Sequence, residues 1–142
     1  MPEQNYANHV RYHPLYHFFI TPVVAINILV ALWITIRHFS ILTLWNLFMA
    51  VAIGGIALVV RVYALTNQNR IIRLEERLRL MQLLPDDLRL RIPEIATRDL
   101  IALRFAPDAE VVDLTRAILA NEAHGAEIKK RVKNWRPDYL RA

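Results

Sequence analysis

Histidine is the residue type in this sequence best suited to metal or proton chemistry, and three histidines lie near its start. His9, His13 and His17 are four residues apart, so a helix would place them on one face. Imidazole is a common zinc ligand, and this spacing therefore suggests a metal site. Pro14 opposes that interpretation, because the residue before a proline avoids the helical backbone region. We expect no metal site, and predict that residues 1–17 form an arm at a membrane interface.

Few residues in this sequence could carry out nucleophilic or redox chemistry. The sequence has no cysteine, which excludes disulfides, thiol catalysis and cysteine-bound metals. Ser40 is the only serine, and neither a glycine-rich phosphate loop nor a nucleophile elbow is present. His17 and His38 cannot share a haem within one chain, because the helix between them would be about 30 Å long. We predict no enzyme activity, no catalytic residue and no cofactor.

Two long apolar runs organise the rest of the chain. The first, residues 18–36, has no charged side chain, and the second, residues 41–61, has its first charge at its last position. A bilayer core about 30 Å thick is crossed by roughly 20 helical residues, and lipid requires backbone bonding within the helix. We predict an all-α protein: a two-helix transmembrane hairpin over residues 18–65, followed by a cytoplasmic helical appendage over residues 66–142.

Basic and aromatic residues set the predicted orientation. The turn between the runs carries only Arg37, whereas Arg11 and several arginines after the second run lie at the opposite end. Because basic residues stay on the cytoplasmic side, both termini should be cytoplasmic. Aromatic rings and long arginines favour the two interfaces. The predicted interface residues are Trp33 and Trp45 outside, and Tyr12, Tyr16, Arg61 and Tyr63 inside.

Polar and small residues inside the runs indicate helix packing. Asn27 lies mid-span, where an amide bonded to another helix contributes about 1 kcal/mol. Ala50, Gly54 and Gly55 form a small-residue face that permits close approach of a second helix. The partner is either the first span or another copy, and spacing alone leaves both open.

The region after the spans begins with a predicted amphipathic helix from Arg70 to Leu84. Glu75 and Arg79 are expected to pair at a separation of four. The helix fits three placements: a stalk continuing the second span, a helix lying on the inner leaflet, or a short self-associating coiled coil. Its apolar stripe recurs every three or four residues and comprises Ile71, Leu74, Leu78 and Met81, with Ile72 or Leu84 as occasional members.

Shorter helices are predicted beyond Pro85. Thr97 is expected to cap a helix ending at Leu103, and a helix starting at Pro107 should continue to Asn121. A last helix should begin near Ala123 or Ala126. The basic stretch that follows, residues 129–136, is expected to be a solvated helix face; if it has a partner, lipid headgroups are favoured over nucleic acid.

Both ends of the chain resemble a known family. The first motif is Gln4-Asn5-Tyr6-x-Asn8-His9-x-Arg11-x-x-Pro14-x-Tyr16-His17, and the second is Lys133-Asn134-Trp135-Arg136-Pro137-Asp138-Tyr139. They are similar to those of small bacterial two-span membrane proteins of uncharacterised function. The resemblance covers the whole chain and implies the two-span topology and a bacterial inner membrane, without implying an activity. Because both motifs lie on one predicted side, we expect them to pack together.

Three function classes follow from these observations. The leading prediction is a membrane scaffold or accessory subunit that self-associates or joins a larger complex. Its predicted partner-binding residues are Leu74, Leu78, Met81, Trp135 and Arg136. The second class is a homo-oligomeric channel or transport component with Asn27, Asn46 and Thr35 along a path between copies. The third class is an electron-transfer subunit with histidine ligands.

Overall fold

The computed structural model describes residues 4–9 and 12–138, and all regular structure within them is helical. This confirms the all-α prediction. Two predicted positions, Arg11 and Tyr139, lie outside the described residues. The α-helices are α1 (Thr21–Arg37), α2 (Ile41–Leu83), α3 (Asp86–Arg89), α4 (Thr97–Leu103), α5 (Asp108–Leu119) and α6 (Ala126–Arg131).

The described chain divides into two compact units. Residues 12–65 form one, which we call the apolar unit. Residues 66–138 together with residues 4–9 form the other, which we call the charged unit. The predicted arm of residues 1–17 is thus divided between the two units, because residues 4–9 make a turn of their own that packs among later helices.

The first apolar helix opens with a π-helical turn, Leu15–Ile20, which is separated from Pro22 by Thr21 alone. Proline has no backbone N–H, so it cannot donate to the carbonyl four residues earlier. The neighbouring Thr21 donates to the Tyr16 carbonyl through both its backbone N–H and its hydroxyl, the latter at 2.9 Å. The widened turn therefore lets the proline enter without ending the helix, and the helical run from Leu15 to Arg37 is 23 residues long.

Within the apolar unit, α1 and the first part of α2 run antiparallel. The Tyr16 hydroxyl donates to the Ala57 carbonyl at 3.5 Å, near one end of the pair. A Cβ on Gly54 would lie 3.2 Å from Cδ1 of Ile28, in the middle. Near the other end, the buried Thr35 hydroxyl lies 3.0 Å from the Thr43 carbonyl. Ala50 is also buried, so Ala50 and Gly54 face α1, whereas Gly55, which was predicted to lie with them, is exposed.

The turn between these two helices satisfies its own polar groups. The Ser40 backbone N–H donates to the Thr43 hydroxyl at 3.0 Å, and the Thr43 N–H donates to the Ser40 hydroxyl at 3.2 Å. This reciprocal arrangement is a capping box that starts α2. The Thr43 hydroxyl also lies 3.1 Å from the His38 carbonyl, which ties the end of α1 to the same threonine.

The charged unit has a continuous aliphatic core. Its fully buried members come from α4, α5 and α6, together with the inner side of α2; they include Leu80, Leu84, Leu100, Leu103, Val111 and Ile128. The observed α5 lies within the predicted range but ends two residues earlier, at Leu119, and α6 begins at Ala126, one of the two predicted starts. The predicted Thr97 cap is wrong by one residue: Ala96 precedes the first turn of α4 in extended conformation and makes no side-chain cap bond.

The first part of the amino-terminal motif, residues 4–9, packs against the carboxy-terminal motif inside the charged unit, whereas residues 12–17 of that motif belong to the apolar unit. Asn5 and Asn8 close a turn in which the Asn8 side chain accepts from the Asn5 N–H at 2.6 Å. The His9 ring lies 5.7 Å from the Trp135 ring. Further along, the Asp138 N–H donates to the Gln4 side chain at 2.8 Å. The amino-terminal segment therefore covers the end of the core.

Gly54→Ile should separate α1 from α2, because any Cβ at position 54 would be 3.2 Å from Ile28 and 3.3 Å from Val24. Overpacking of this kind typically costs about 1–3 kcal/mol. The matched control is Gly55→Ile, where a Cβ would meet no described atom within 4 Å. Hydrogen exchange of the full chain in mild detergent should accelerate in α1 for the first variant alone. Equal acceleration in both would contradict the packing.

Candidate docking surface

Residues 66–83 of α2 belong to the charged unit and are apolar on two opposite sides. The inner side is turned to the core, where Ile72 and Leu80 are buried. The outer side carries Ile71, Leu74, Leu78 and Met81, which are 57, 61, 53 and 53% exposed. We call these four residues the outer stripe.

The outer stripe corrects the prediction of a single apolar face. At about 100° per residue, the outer stripe centres roughly opposite Ile72 and Leu80. The predicted stripe had grouped Ile72 and Leu84 with it, yet both are buried on the core side. A helix that is apolar on two sides can bury one against its own domain and present the other. The predicted partner-binding residues of α2 are therefore exposed.

Charged side chains border the outer stripe asymmetrically. Arg70 and Arg77 lie along one edge, with the exposed Arg73 beyond them, and Glu75 lies along the other edge. The arginine edge forms a shallow depression with Asn67 and the first stripe residues. The surface offered to a partner is thus apolar at its centre and of opposite charge at its two edges.

An ion cluster fixes which side of α2 faces inward. The Arg79 guanidinium donates to the Glu76 carboxylate at 3.0 Å, to the Ala106 carbonyl at 2.7 Å and to the Asp108 carboxylate at 2.6 Å. The predicted pair of Glu75 with Arg79 is therefore wrong. The Arg79 guanidinium points to the core side of α2, where it donates to the buried Glu76 and to Asp108 at the start of α5.

The buried carboxylate of that cluster has a second basic neighbour. Arg136 approaches Glu76 at 3.7 Å, from the carboxy-terminal segment. Burial raises the pKa of Glu76, and the positive charge and hydrogen bond of Arg79 oppose this. The cluster joins α2, α5 and the carboxy-terminal segment through one buried acid.

Trp135 and Arg136, predicted to bind partners, make contacts inside the charged unit. The Trp135 ring lies 4.8 Å from the Phe105 ring, and the Arg136 backbone N–H donates to the Phe105 carbonyl at 2.8 Å. The basic stretch lies on the same aromatic group: Lys129 is 5.7 Å from the centre of the Phe105 ring, and Lys130 is 5.7 Å from that of Tyr6. These side chains hold the two termini together.

Two further carboxylates act as acceptors for distant backbone, and sequence reasoning missed both. Buried Asp99 accepts from the Gly125 N–H at 2.7 Å and contacts the His124 ring at 3.1 Å. Gly125 has a φ of +48°, a conformation that suits glycine and is held here by that bond. The only sequence signal was the position of Asp99 in the first turn of α4, which is ordinarily a sign of solvent exposure.

Glu110, in the first turn of α5, anchors the carboxy-terminal segment. Its carboxylate accepts from the Lys133 N–H at 2.9 Å and from the Asn134 N–H at 3.0 Å. Burial alone would raise the pKa of Glu110, but these two backbone donors, with the Asn134 side chain, lower it overall. The ionised form is therefore the one that the fold stabilises.

The predicted interface residues lie at two ends of the apolar unit. Trp33 and Trp45 are exposed near the turn, and the Trp45 ring stacks on Phe48. At the other end, Arg61 lies 5.3 Å from the centre of the Tyr16 ring, while Tyr12 and Tyr63 are exposed. Along α1 the two aromatic groups are about 25 Å apart, by a rise of 1.5 Å per residue.

The histidines of the amino-terminal motif make local contacts. The His17 ring contacts the His13 carbonyl at 3.1 Å, and the His9 ring contacts the Tyr6 carbonyl at 2.6 Å. Within residues 4–9 and 12–138, no group of three histidine or carboxylate side chains is placed to hold a metal ion.

A comparison with known protein families gives a match along the full length of the chain. The family model of DUF6526, a family of unknown function, matches residues 1–142. The chain belongs to this family. The resemblance seen at the two ends is thereby confirmed as membership of an uncharacterised family that spans the full sequence. No curated protein and no solved structure matches it.

Acid should loosen the carboxy-terminal segment through Glu110. Its pKa is lower in the folded chain, so its stabilising effect is present above its unfolded pKa, about 4.5, and is lost as pH falls through the folded pKa. Glu110→Gln should expose the backbone amides of residues 133 and 134 at pH 7 and remove that part of the acid dependence. Hydrogen exchange at pH 7 and pH 4 measures both effects, with exposed Glu122→Gln as the control. Unchanged protection of residues 133 and 134 in Glu110→Gln would refute the anchor.

Proposed function

We propose that this chain is a non-enzymatic integral membrane scaffold or accessory subunit. The two long helices, Leu15–Arg37 and Ile41–Leu83, each contain a window long enough to span a membrane, with mean hydropathy 2.3 and 2.2. Only 11% and 6% of those windows is buried within the chain. Helices so apolar and so little covered by their own protein are best accommodated by lipid.

The proposed topology is a transmembrane hairpin with both termini in the cytoplasm of a bacterial inner membrane. Basic side chains support it, since Arg37 is the sole arginine at the turn, whereas Arg61 and the arginines of residues 70–79 follow the second span. The two aromatic groups support it as well, because a separation of about 25 Å suits the two edges of a hydrocarbon core.

The observation that carries the functional part of the proposal is the outer stripe. The charged unit has buried its own core and still exposes four large apolar side chains in a row. Contiguous exposed apolar surface of this kind typically marks an interaction site. The hairpin would supply the anchor, and the outer stripe would bind copies of the chain or another subunit of a larger complex.

The proposal predicts retention in membranes and association in mild detergent. After an alkaline wash the chain should stay with the membrane fraction. In mild detergent its protein mass should exceed the 16.6 kDa of one chain, either as a multiple or with other chains in stoichiometric amounts. Light scattering measures the protein mass, and identification of the subunits shows whether other chains are present. A monodisperse monomer with no co-purifying chain would refute the scaffold role.

A homo-oligomeric channel is the second candidate, and two exposed polar residues favour it. Asn27 and Asn46 lie exposed on the apolar helices, where an unpaired amide in lipid is costly and contact with another copy would satisfy it. Thr35, the third residue of the predicted path, is buried and bonded within the chain instead.

Flux measurements on reconstituted liposomes test the channel directly. The channel predicts ion flux for the unaltered chain and its loss in Asn27→Leu, because that change removes a polar lining group. Val23→Leu, an apolar change at another exposed position of α1, should leave the flux unaltered. Absence of flux at any applied potential would eliminate this candidate and leave the scaffold.

A further inference from the structure

We propose that the outer stripe pairs with the outer stripe of a second copy of this chain, as a parallel two-stranded coiled coil. This inference rests on the proposed function, because a shared membrane anchor is what presents two copies in the same direction. It names the partner and the register, neither of which the proposed function specifies.

The spacing of the outer stripe fits the seam of a coiled coil, the line of apolar side chains along which two helices pack. Ile71 and Leu78 are seven residues apart, as are Leu74 and Met81, and the two sets alternate at three and four residues. That is the a and d pattern of a heptad repeat, with Ile71 and Leu78 at a and Leu74 and Met81 at d. Isoleucine at a with leucine at d, as in the first layer pair, favours two strands.

The edges of the outer stripe specify the direction. In this register Arg70 and Arg77 occupy g positions, and Glu75 occupies an e position. In a parallel pair a g residue meets the e residue five positions later on the other helix, so Arg70 meets Glu75 of the second copy, twice by symmetry. An antiparallel pair would place Glu75 beside Glu75 of the second copy and Arg77 beside its Arg77. The charges therefore favour the parallel pair and oppose the antiparallel one.

The remaining positions of the heptad already belong to the fold of each chain. Ile72, Glu76, Arg79 and Leu80 occupy b, c and f positions and are turned to the core of the charged unit. The a and d positions therefore lie on the side of α2 that faces away from the core of the charged unit. On that side the charged unit does not obstruct a second copy.

Two heptads would be too short for an isolated coiled coil, but this helix is already formed. Residues 70–81 lie within the 43-residue α2, and its inner side is packed on the core. Little conformational entropy is lost on pairing, because the helix is ordered before the partner arrives. A common membrane would also raise the effective concentration of one copy around another.

Disulfide trapping in native membranes tests the seam, since the sequence contains no cysteine. Leu74→Cys places one thiol at a d position, and a parallel pair brings the two copies of it together. Mild oxidation should give a species of twice 16.6 kDa. Arg73→Cys, one residue away at an exposed c position, is the matched control and should stay monomeric.

Charge exchange tests the register on the Leu74→Cys background. Arg70→Glu and Glu75→Arg should each lower the yield of trapped dimer about fivefold, because each turns two attractive pairs into repulsive ones. Combining them should restore the yield, whereas Arg73→Glu should not change it. Failure of the double variant to restore the yield would overturn the parallel register.

Other occupants of the outer stripe give distinguishable results. A chain that stays in membranes and co-purifies with a different subunit, yet forms no Leu74→Cys dimer, overturns this inference and keeps the proposed scaffold. A spin label at Leu78→Cys that is relaxed by lipid-dissolved oxygen assigns the outer stripe to the leaflet and likewise overturns it. Release of the chain by an alkaline wash overturns the inference and the proposed function together.

Discussion

The guanidinium of Arg79 is the contact on which the charged unit depends. One side chain joins the buried acid of its own helix, a backbone carbonyl before α5 and the aspartate that begins α5. Hydrogen bonds to charged groups contribute about 1.5–3 kcal/mol, more than neutral ones, and a planar fork can make several at once. By fixing the rotation of α2 about its own axis, this contact decides which of its two apolar sides is buried. The exposed outer stripe is a consequence of that choice.

Two carboxylates of the charged unit accept hydrogen bonds from backbone N–H groups that are distant in sequence. Asp99 holds the loop before α6, and Glu110 holds the segment after it. Each carboxylate lies in the first turn of a helix, where the helix dipole stabilises negative charge. Short helices with few apolar residues are thereby connected through their ends as well as through their sides, which suits a small domain with limited core.

The sequence predicted those features that depend on local pattern. The two apolar helices and α5 follow from hydropathy and from proline at a helix start, and the packing of residues 4–9 on the carboxy-terminal motif agrees with the expectation that the two motifs pack together. The rotation of α2 about its axis did not follow from the sequence, because Ile71 and Ile72 are equally apolar. The buried Leu80 and the contacts of Arg79 that distinguish the two sides are made with other parts of the charged unit. Likewise Glu75 and Arg79 obey the spacing rule of an isolated helix, but a buried acceptor across the domain binds the arginine instead. Thr97 fits a cap by residue type, yet extended Ala96 precedes the helix.

The π-helical turn and the buried role of Asp99 had no sequence pattern of their own. The first arises where Pro22 removes one donor and Thr21 supplies its hydroxyl in addition to its backbone N–H. The second needs a loop 26 residues later to come within hydrogen-bonding distance, which only the tertiary fold arranges.

The turn at Ser40 and Thr43 has a consequence for the transmembrane hairpin proposed above. During insertion of such a hairpin the connection would have to cross the hydrocarbon, where each bare N–H or C=O would add several kcal/mol to the barrier. Here the two hydroxyls and two amides already bond to one another, and one of the hydroxyls also reaches the carbonyl that ends α1. In the proposed topology, Arg37 and His38 would be the main polar groups left to carry across. Such a connection would let the proposed hairpin enter as a preassembled unit, with Arg37 as the one fixed charge of the turn to be translocated.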